Sequence, residues 1–513
     1  MGSARSIIDC LSESASRGPG RTVLFHGDRQ YSFRELEQDS AKCRGALQAL
    51  GVGFGDCVAL VTSDGPEMVV AMLGAMGLGA IAAPCSTMLK PAELAYIVND
   101  CGARCAVATP DQVTNVLEAQ AQAPALRTIL VAGGEALPGT SSFADALRAA
   151  EPVTVAAFAA DTPCLILYTS GSTGAPKGAV HRHGHLPVTV ECMGRNVYEL
   201  TPDDRLFSSS RLFFAYGLGN SFSFPIATGA AAVLCGERPT PPLIASIFER
   251  YRPTIFFGVP AVFRALLESM RAGQRLDTRS LRFCVSAGES LPANTWHEWK
   301  TATGVDILET IGTTELLYGF ISSYKDRIRP GSSGLAVKGY EVRLLDGQGQ
   351  VVVGAGRGDL TVRGGSAIPY YLNKPDKTAE SIRDGWVRTG DVYRRDEDGF
   401  YWFEGRSDDL FKSSGMWVSP GEVEDAICVH PAVLEAAVVA EVDPGGVNVV
   451  AAFVALRPGH APGEALADEI KAQTSTVLPR YKRPQRIHFM EQLPRTATGK
   501  VQRFKLRAAP SAR

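Results

Sequence analysis

No C-x-x-C pair occurs in this sequence. Its 11 cysteines are odd in number and scattered, with Cys101 and Cys105 the nearest pair. That pattern excludes a disulfide framework and a zinc ribbon, and reads as reduced thiols in a cytoplasmic protein. Neither sign of charge is in excess: Lys+Arg total 52 against Asp+Glu 54. Nucleic acid and anionic membrane are therefore not expected as main partners. Long hydrophobic runs are missing as well. The most apolar stretch, Met68 to Ala83, is closed by Pro84 and is shorter than the roughly 20 residues of a membrane span. It reads as one buried helix. The start, MGSARSIIDCLSES, has no long apolar segment or cleavage signal and is not expected to be a secretory leader. No G-x-S-x-G elbow occurs, which speaks against an α/β-hydrolase.

What is present begins with alternation. Short apolar runs (DCVALVTS, CAVAT, TILVAG, CLILYTS, TIFFGVP, RFCVSAGE) alternate with helical segments such as PPLIASIFERY and PAVFRALLESMRAG. Buried strands alternating with helices predict layered α/β sheets, largely parallel, with sites just past strand C-termini. From about residue 331 the text turns β-rich and Gly-punctuated. A polar stretch, EGRSDDLFKSSG, then precedes a helix, two strands and a charged helix. The expected organisation is a large N-terminal domain, 1–406, of α/β layers plus a β-rich subdomain. A small, mobile α+β domain, 407–513, follows. At 513 residues more than one domain is expected.

One loop stands out. YTSGSTGAPKG, residues 168 to 178, crowds glycines and hydroxyls around Lys177. Small residues expose backbone N–H groups, hydroxyls donate, and a lysine suits phosphate. It is not a Walker A loop, because Lys177 stands between Pro176 and Gly178 instead of before Ser or Thr. HRHGH at 181–185 has the histidine density of a metal site but no acidic or cysteine partner, so metal binding is not expected there. RYKRPQR at 480–486 is basic and reads as solvated or packing, with contact to CoA phosphates a secondary option.

Further motifs follow in order: ETIGTTE (309–315), RTGD (388–391), GRSDDLFK (405–412) and PRTATGK (494–500). With the loop, their order and spacing resemble the adenylate-forming superfamily, which comprises acyl-CoA synthetases, peptide-synthetase adenylation domains and beetle luciferases. The resemblance covers nearly the whole chain. It implies ATP, Mg²⁺ and CoA as cofactor and co-substrates. It implies phosphate contacts from Thr169, Ser170, Ser172, Thr173 and Lys177, and nucleotide contact near Thr314. Glu315 would be the Mg²⁺ ligand, since a hard cation takes carboxylate oxygen. Ala287, Gly288 and Glu289, joined by Glu309, Thr310 and Ile311, would wall the adenine. Asp391 would bind the ribose and Arg406 assist. Lys500 resembles the lysine that bridges the attacking carboxylate and the α-phosphate. Asp408 matches the position about which the small domain turns, Gly415 would admit pantetheine, and Lys412 matches a lysine of the second half-reaction.

RLFFAYGLGNSFSFP (211–225) falls where this family builds its acyl pocket. It is similar to the LFFAYGLGN stretch of benzoate:CoA ligases. Ala215, Tyr216 and Gly217 are the expected wall, with Tyr318 and Gly319 after GTTE. No aspartate is present here to pair an amino acid's α-amino group, and a flat aromatic acid suits aromatic walls. Benzoate-type relatives carry a bulky branched residue where Gly319 stands. The gap is expected to favour an ortho-substituted benzoate such as 2-aminobenzoate or salicylate, and Gly319→Ile to shift preference toward benzoate. The resulting expectation is an aromatic acid:CoA ligase. Two alternatives stay open: a stand-alone aryl adenylation enzyme that loads a carrier protein, and a nucleotide-binding protein without chemistry. A homodimer is compatible with the reading.

Overall fold

The computed structural model describes residues 6–169, 175–407, 409–413, 416–443, 446–495 and 501–507. By its internal contacts the chain forms two compact units. The first runs to Val342 and includes Thr361–Val387; the second takes Arg343–Leu360 and the described residues from Arg388 onward.

The first unit holds a seven-stranded and a nine-stranded sheet. In the seven-stranded sheet Cys57–Val61 lies centrally, parallel to Ile81–Pro84 and Ala103–Ala108. Every residue of Cys57–Val61 is buried, as befits a parallel strand covered on both faces. The apolar run beginning at Met68 is not a single helix. Helix α1 (Pro66–Gly77) ends inside it, and Ile81–Pro84 is a strand. Gly79, at φ +76°, makes the turn between them, a conformation that costs glycine little. Helix α2 (Pro91–Asp100) follows. The sheet ends in strands β1 (Pro163–Thr169) and β2 (Lys177–Arg182), which are antiparallel.

The nine-stranded sheet has six parallel strands at its centre, from Thr22–His26 through Ala231–Val233, Arg205–Ser208 and Ile255–Gly258 to β3 (Phe283–Ser286) and β4 (Ile307–Gly312). Strand β5 (Gly319–Ser322) then turns back antiparallel to β4. Interlocked aromatic rings of Phe207, Phe248, Phe256, Phe263 and Trp299 fill one face of this sheet.

The five-stranded sheet spans the β-rich text, and its strands β6 (Trp386–Arg395) and β7 (Tyr401–Arg406) pair antiparallel. In the second unit the hairpin β8 (Phe411–Ser413) and β9 (Met416–Val418) precedes helix α3 (Pro420–Cys428). Strands Val433–Val442, Asn448–Leu456 and Arg486–Phe489 form a three-stranded sheet there. Helix α4 (Arg503–Arg507) closes the described chain.

Candidate active site

The stems of the loop expected to hold phosphates lie on a strand pair. Thr169 on β1 pairs with Lys177 on β2, Tyr168 with Gly178, and Leu167 with Ala179. Gly178 is required by close packing, because a Cβ there would lie 2.9 Å from Ile166 Cγ2. Helix α2 props both stems. The Tyr96 hydroxyl donates to the Pro176 carbonyl at 3.2 Å, and the Tyr168 hydroxyl donates to Asp100 Oδ2 at 2.8 Å. Ser170, Ser172 and Thr173 lie outside the described residues, as do Asp408, Gly415 and Lys500.

Glu315 sits on a single 3₁₀ turn, Thr314–Leu316, at the end of β4. Leu317 closes that turn at φ +65°, a left-handed conformation uncommon for a leucine and typical of sites that hold a shape. Three contacts fix the turn. The Thr314 carbonyl accepts from His181 Nε2 at 2.9 Å, the Glu315 carbonyl accepts from the Ile368 N–H at 2.9 Å, and Glu315 Oε1 accepts from the Tyr371 hydroxyl at 2.5 Å. Burial and the Glu315 carboxylate push the Tyr371 phenol well above its ordinary pKa, so it is a neutral donor. The Lys177 ammonium stands over the Tyr371 ring, 4.4 Å from its centroid. Among the described residues no group of three or more His, Cys, Asp or Glu could hold a metal ion. A lone carboxylate fits Mg²⁺, which completes its octahedron with phosphate oxygens and water.

The histidines beside this turn are buried and neutral. His181 Nε2–H donates to a carbonyl, and its Nδ1 lies 3.2 Å from His185 Nδ1. Burial pushes His181 down to about 3 and His183 and His185 to about 4. His183 stacks on Phe158 with centroids 3.7 Å apart.

Ala287, Gly288 and Glu289 follow β3 directly, with Gly288 at φ +92° and Glu289 exposed. Glu309 on β4 is buried and its Oε1 accepts from Ser333 at 3.2 Å. Thr310 turns its side chain into the core. Its Oγ1 meets Ser322 Oγ at 2.7 Å and the Tyr198 hydroxyl at 3.1 Å. Ile311, next along the strand, is half-buried.

The aromatic segment makes one helical turn, Ala215–Leu218. The Tyr216 hydroxyl donates to the Val285 carbonyl at 3.1 Å, and its ring lies 5.8 Å from that of Tyr318. The Tyr318 hydroxyl donates to Asn220 Oδ1 at 2.5 Å. Asn220 and Tyr198, both 0% exposed, belong to this network, and no spacing in the sequence marks either. Gly217 serves packing, since a Cβ would fall 2.0 Å from the Arg211 carbonyl oxygen.

The expected gap at Gly319 is filled. A Cβ there would come 2.4 Å from Thr310 Cγ2 and 3.1 Å from Met193 Cε. Gly319 lets β5 approach β4 closely; it does not open space beside a ring, and the argument from it to an ortho substituent falls.

In the second unit Asp391 on β6 is the register partner of Arg406 on β7, and Arg406 Nη1 donates to its Oδ1 at 3.0 Å. Asp391 is buried, so a diol reaching it meets a carboxylate already held in place. Lys412 on β8 is exposed, its ammonium 5.1 Å from the Trp417 ring centroid.

A family model described as AMP-binding enzyme matches residues 11–372, and one described as AMP-binding enzyme C-terminal domain matches residues 422–500. Benzoate–CoA ligase of Thauera aromatica is 41% identical over 498 residues, 96% of this chain and 94% of the relative. The anthranilate CoA ligase AuaEII, solved in complex with anthranoyl-AMP, is similar at TM-score 0.94 and 39% identity, over 99% of this chain and 98% of that chain. A benzoate CoA ligase from Burkholderia xenovorans is similar at TM-score 0.90 and 37% identity, over 98% and 99% respectively. With the matched region spanning most of its length, the chain belongs to the AMP-binding enzyme family, the adenylate-forming superfamily its motifs resemble.

Proposed function

We propose that this protein is an ATP-dependent aromatic acid:CoA ligase of the AMP-forming kind. A carboxylate oxygen attacks the α-phosphorus of ATP and pyrophosphate leaves. The thiol of CoA then attacks the acyl carbon of the aryl-AMP, AMP leaves, and the thiol proton passes to solvent. The observation that carries the reading is the arrangement of Lys177 and Glu315 about the Tyr371 ring, beside the stems of the Gly-rich loop. It sets a phosphate cation and a carboxylate for a hard metal ion side by side, as ATP chemistry needs. Mg²⁺ held there would neutralise phosphate charge. Asp391 is assigned to the ribose hydroxyls, and Lys500 to the charge that develops as the carboxylate meets the α-phosphate.

The substrate is assigned as a benzoate, with benzoate itself and 2-aminobenzoate as the candidates. Likeness to ligases named for benzoate and anthranilate supports this, as do the rings of Tyr216 and Tyr318 in the segments expected to wall the pocket. CoA is assigned as the acceptor on the same likeness. The protein is assigned to the cytoplasm, a reading its free cysteines support. The test is a panel of carboxylic acids scored for ATP–pyrophosphate exchange and for free aryl-CoA. Exchange and thioester with benzoates are expected. Exchange without thioester would make the protein a carrier-loading enzyme, and no exchange with any acid would overturn the reading.

A further inference from the structure

Tyr371 lies in none of the sequence motifs that point to the chemistry. Its neighbours give it one. The hydroxyl donates to Glu315 Oε1 at 2.5 Å, and its ring seats the Lys177 ammonium at 4.4 Å. The side chain is 3% exposed, packed with Ala179 and Ile368. The backbone around it is stitched to the strand that carries Lys177 and to Glu315 itself. Tyr371 bridges Ala179 on β2, the Leu372 N–H donates to the Gly178 carbonyl at 2.8 Å, and the Ile368 N–H donates to the Glu315 carbonyl at 2.9 Å.

We propose that Tyr371 is the positioning residue that sets the spacing between the metal-facing carboxylate of Glu315 and the phosphate-facing ammonium of Lys177. This rests on the roles proposed for those two residues. A carboxylate has several acceptor sites on two oxygens. Tyr371 occupies one on Oε1, which fixes the rotation of the group and leaves Oε2 for a cation. Lysine is a point charge on a flexible stem, and the face of a buried ring attracts it and limits its range. One rigid side chain thus orients both charged groups toward the same triphosphate. Outer partners of this kind typically change metal affinity or activity by about 10- to 100-fold when removed.

The test uses the full chain without aryl acid, so no turnover occurs. Calorimetry measures the affinity for Mg·ATP and for ATP in excess chelator, and the ratio of the two reports the metal's contribution. Tyr371→Phe keeps the ring and removes the hydroxyl. It should cut that ratio by about 10-fold or more with metal-free ATP binding and melting temperature near those of the parent. Tyr371→Leu removes the seat of Lys177 as well and should also weaken metal-free ATP binding. A purely structural tyrosine would lower the melting temperature and leave the ratio alone; an unchanged ratio in Tyr371→Phe overturns the proposal. Glu315→Gln separates the two ideas. If it leaves the ratio unchanged, the metal role of Glu315 is wrong. If it lowers the ratio and Tyr371→Phe does not, only the positioning role fails.

Discussion

A Cβ on Gly319 would lie 2.4 Å from Thr310 Cγ2, and that methyl decides what the position tolerates. Gly319→Ala should destabilise the protein by about 1–3 kcal/mol, the usual range for overpacking a filled core. It should lower kcat/KM for benzoate and 2-aminobenzoate alike. Thr310→Ser removes the offending methyl and keeps the hydroxyl that meets Ser322 and Tyr198. Combined with Gly319→Ala it should restore most of the lost stability in urea denaturation. A substrate-selective effect without destabilisation would instead return Gly319 to the pocket wall. A second residue-scale prediction concerns His181, His183 and His185. Burial holds them near 3, 4 and 4, below the ordinary 6.5. The unfolded chain therefore binds protons near pH 6.5 that the folded chain refuses. Their contribution to stability is complete above pH 6.5 and is lost as pH falls toward 4. Each histidine contributes a slope of roughly 1.4 kcal/mol per pH unit in that window. His183→Leu should flatten the fall in unfolding free energy between pH 6.5 and 5; an identical slope would mean His183 is already protonated in the fold.

At the scale of elements, the sequence made the strands and helices readable because their periodicity and end signals agree. Ile255–Gly258, Phe283–Ser286 and the helix Pro260–Arg271 stand where their apolar runs and flanking prolines put them. The run beginning at Met68 misled because full burial erases amphipathic contrast, leaving a helix and a strand with the same composition. The Gly-rich loop and GTTE were legible as local motifs. The Tyr371–Glu315 contact was not, because it joins residues 56 apart; nor was the Asn220–Tyr318 bond, which joins residues 98 apart. Both are products of tertiary packing, which no local pattern encodes. An element-scale prediction follows from α4. Arg503 Nη2 grips both oxygens of Glu424 on α3 at 2.8 Å, Glu424 Oε1 also accepts from the Val438 N–H at 2.7 Å, and Arg507 reaches Asp409 at 2.7 Å. This ties α4, which starts three residues after Lys500, to α3 and to the strand after it. Arg503→Met leaves Glu424 short of its charged donor and should cost about 1.5–3 kcal/mol. Limited proteolysis should show faster cutting after Arg495 in the variant, and unchanged cutting would mean that α4 is held by its apolar contacts alone.

At the scale of the molecule, the residues assigned to the reaction belong to two compact units. Lys177 and Glu315 lie in the first and Asp391 and Arg406 in the second, while Lys500 lies outside the described residues. The proposed half-reactions do not ask the same of Lys500. In the first, a carboxylate approaches a phosphate that is itself anionic, and negative charge grows on the oxygens between them. A cation placed there lowers the barrier, and losing such a group costs about 10²–10³ in rate. In the second, a thiol attacks an acyl carbon already activated as a mixed anhydride, and AMP departs with a charge it can carry alone. Lys500→Ala should therefore reduce pyrophosphate release from ATP and the aryl acid by about 10²–10³. Thioester formation from chemically prepared aryl-AMP and CoA should continue near the parent rate. Affinity for Mg·ATP should change little, because the loop, Glu315 and Asp391 are assigned to hold the nucleotide. If both half-reactions fall together in a folded protein, Lys500 holds ligand or fold and the assignment of the adenylation charge to it is wrong. If nucleotide affinity falls in step with pyrophosphate release, the lysine binds the ground state as strongly as the transition state, and its effect should then disappear at saturating ATP.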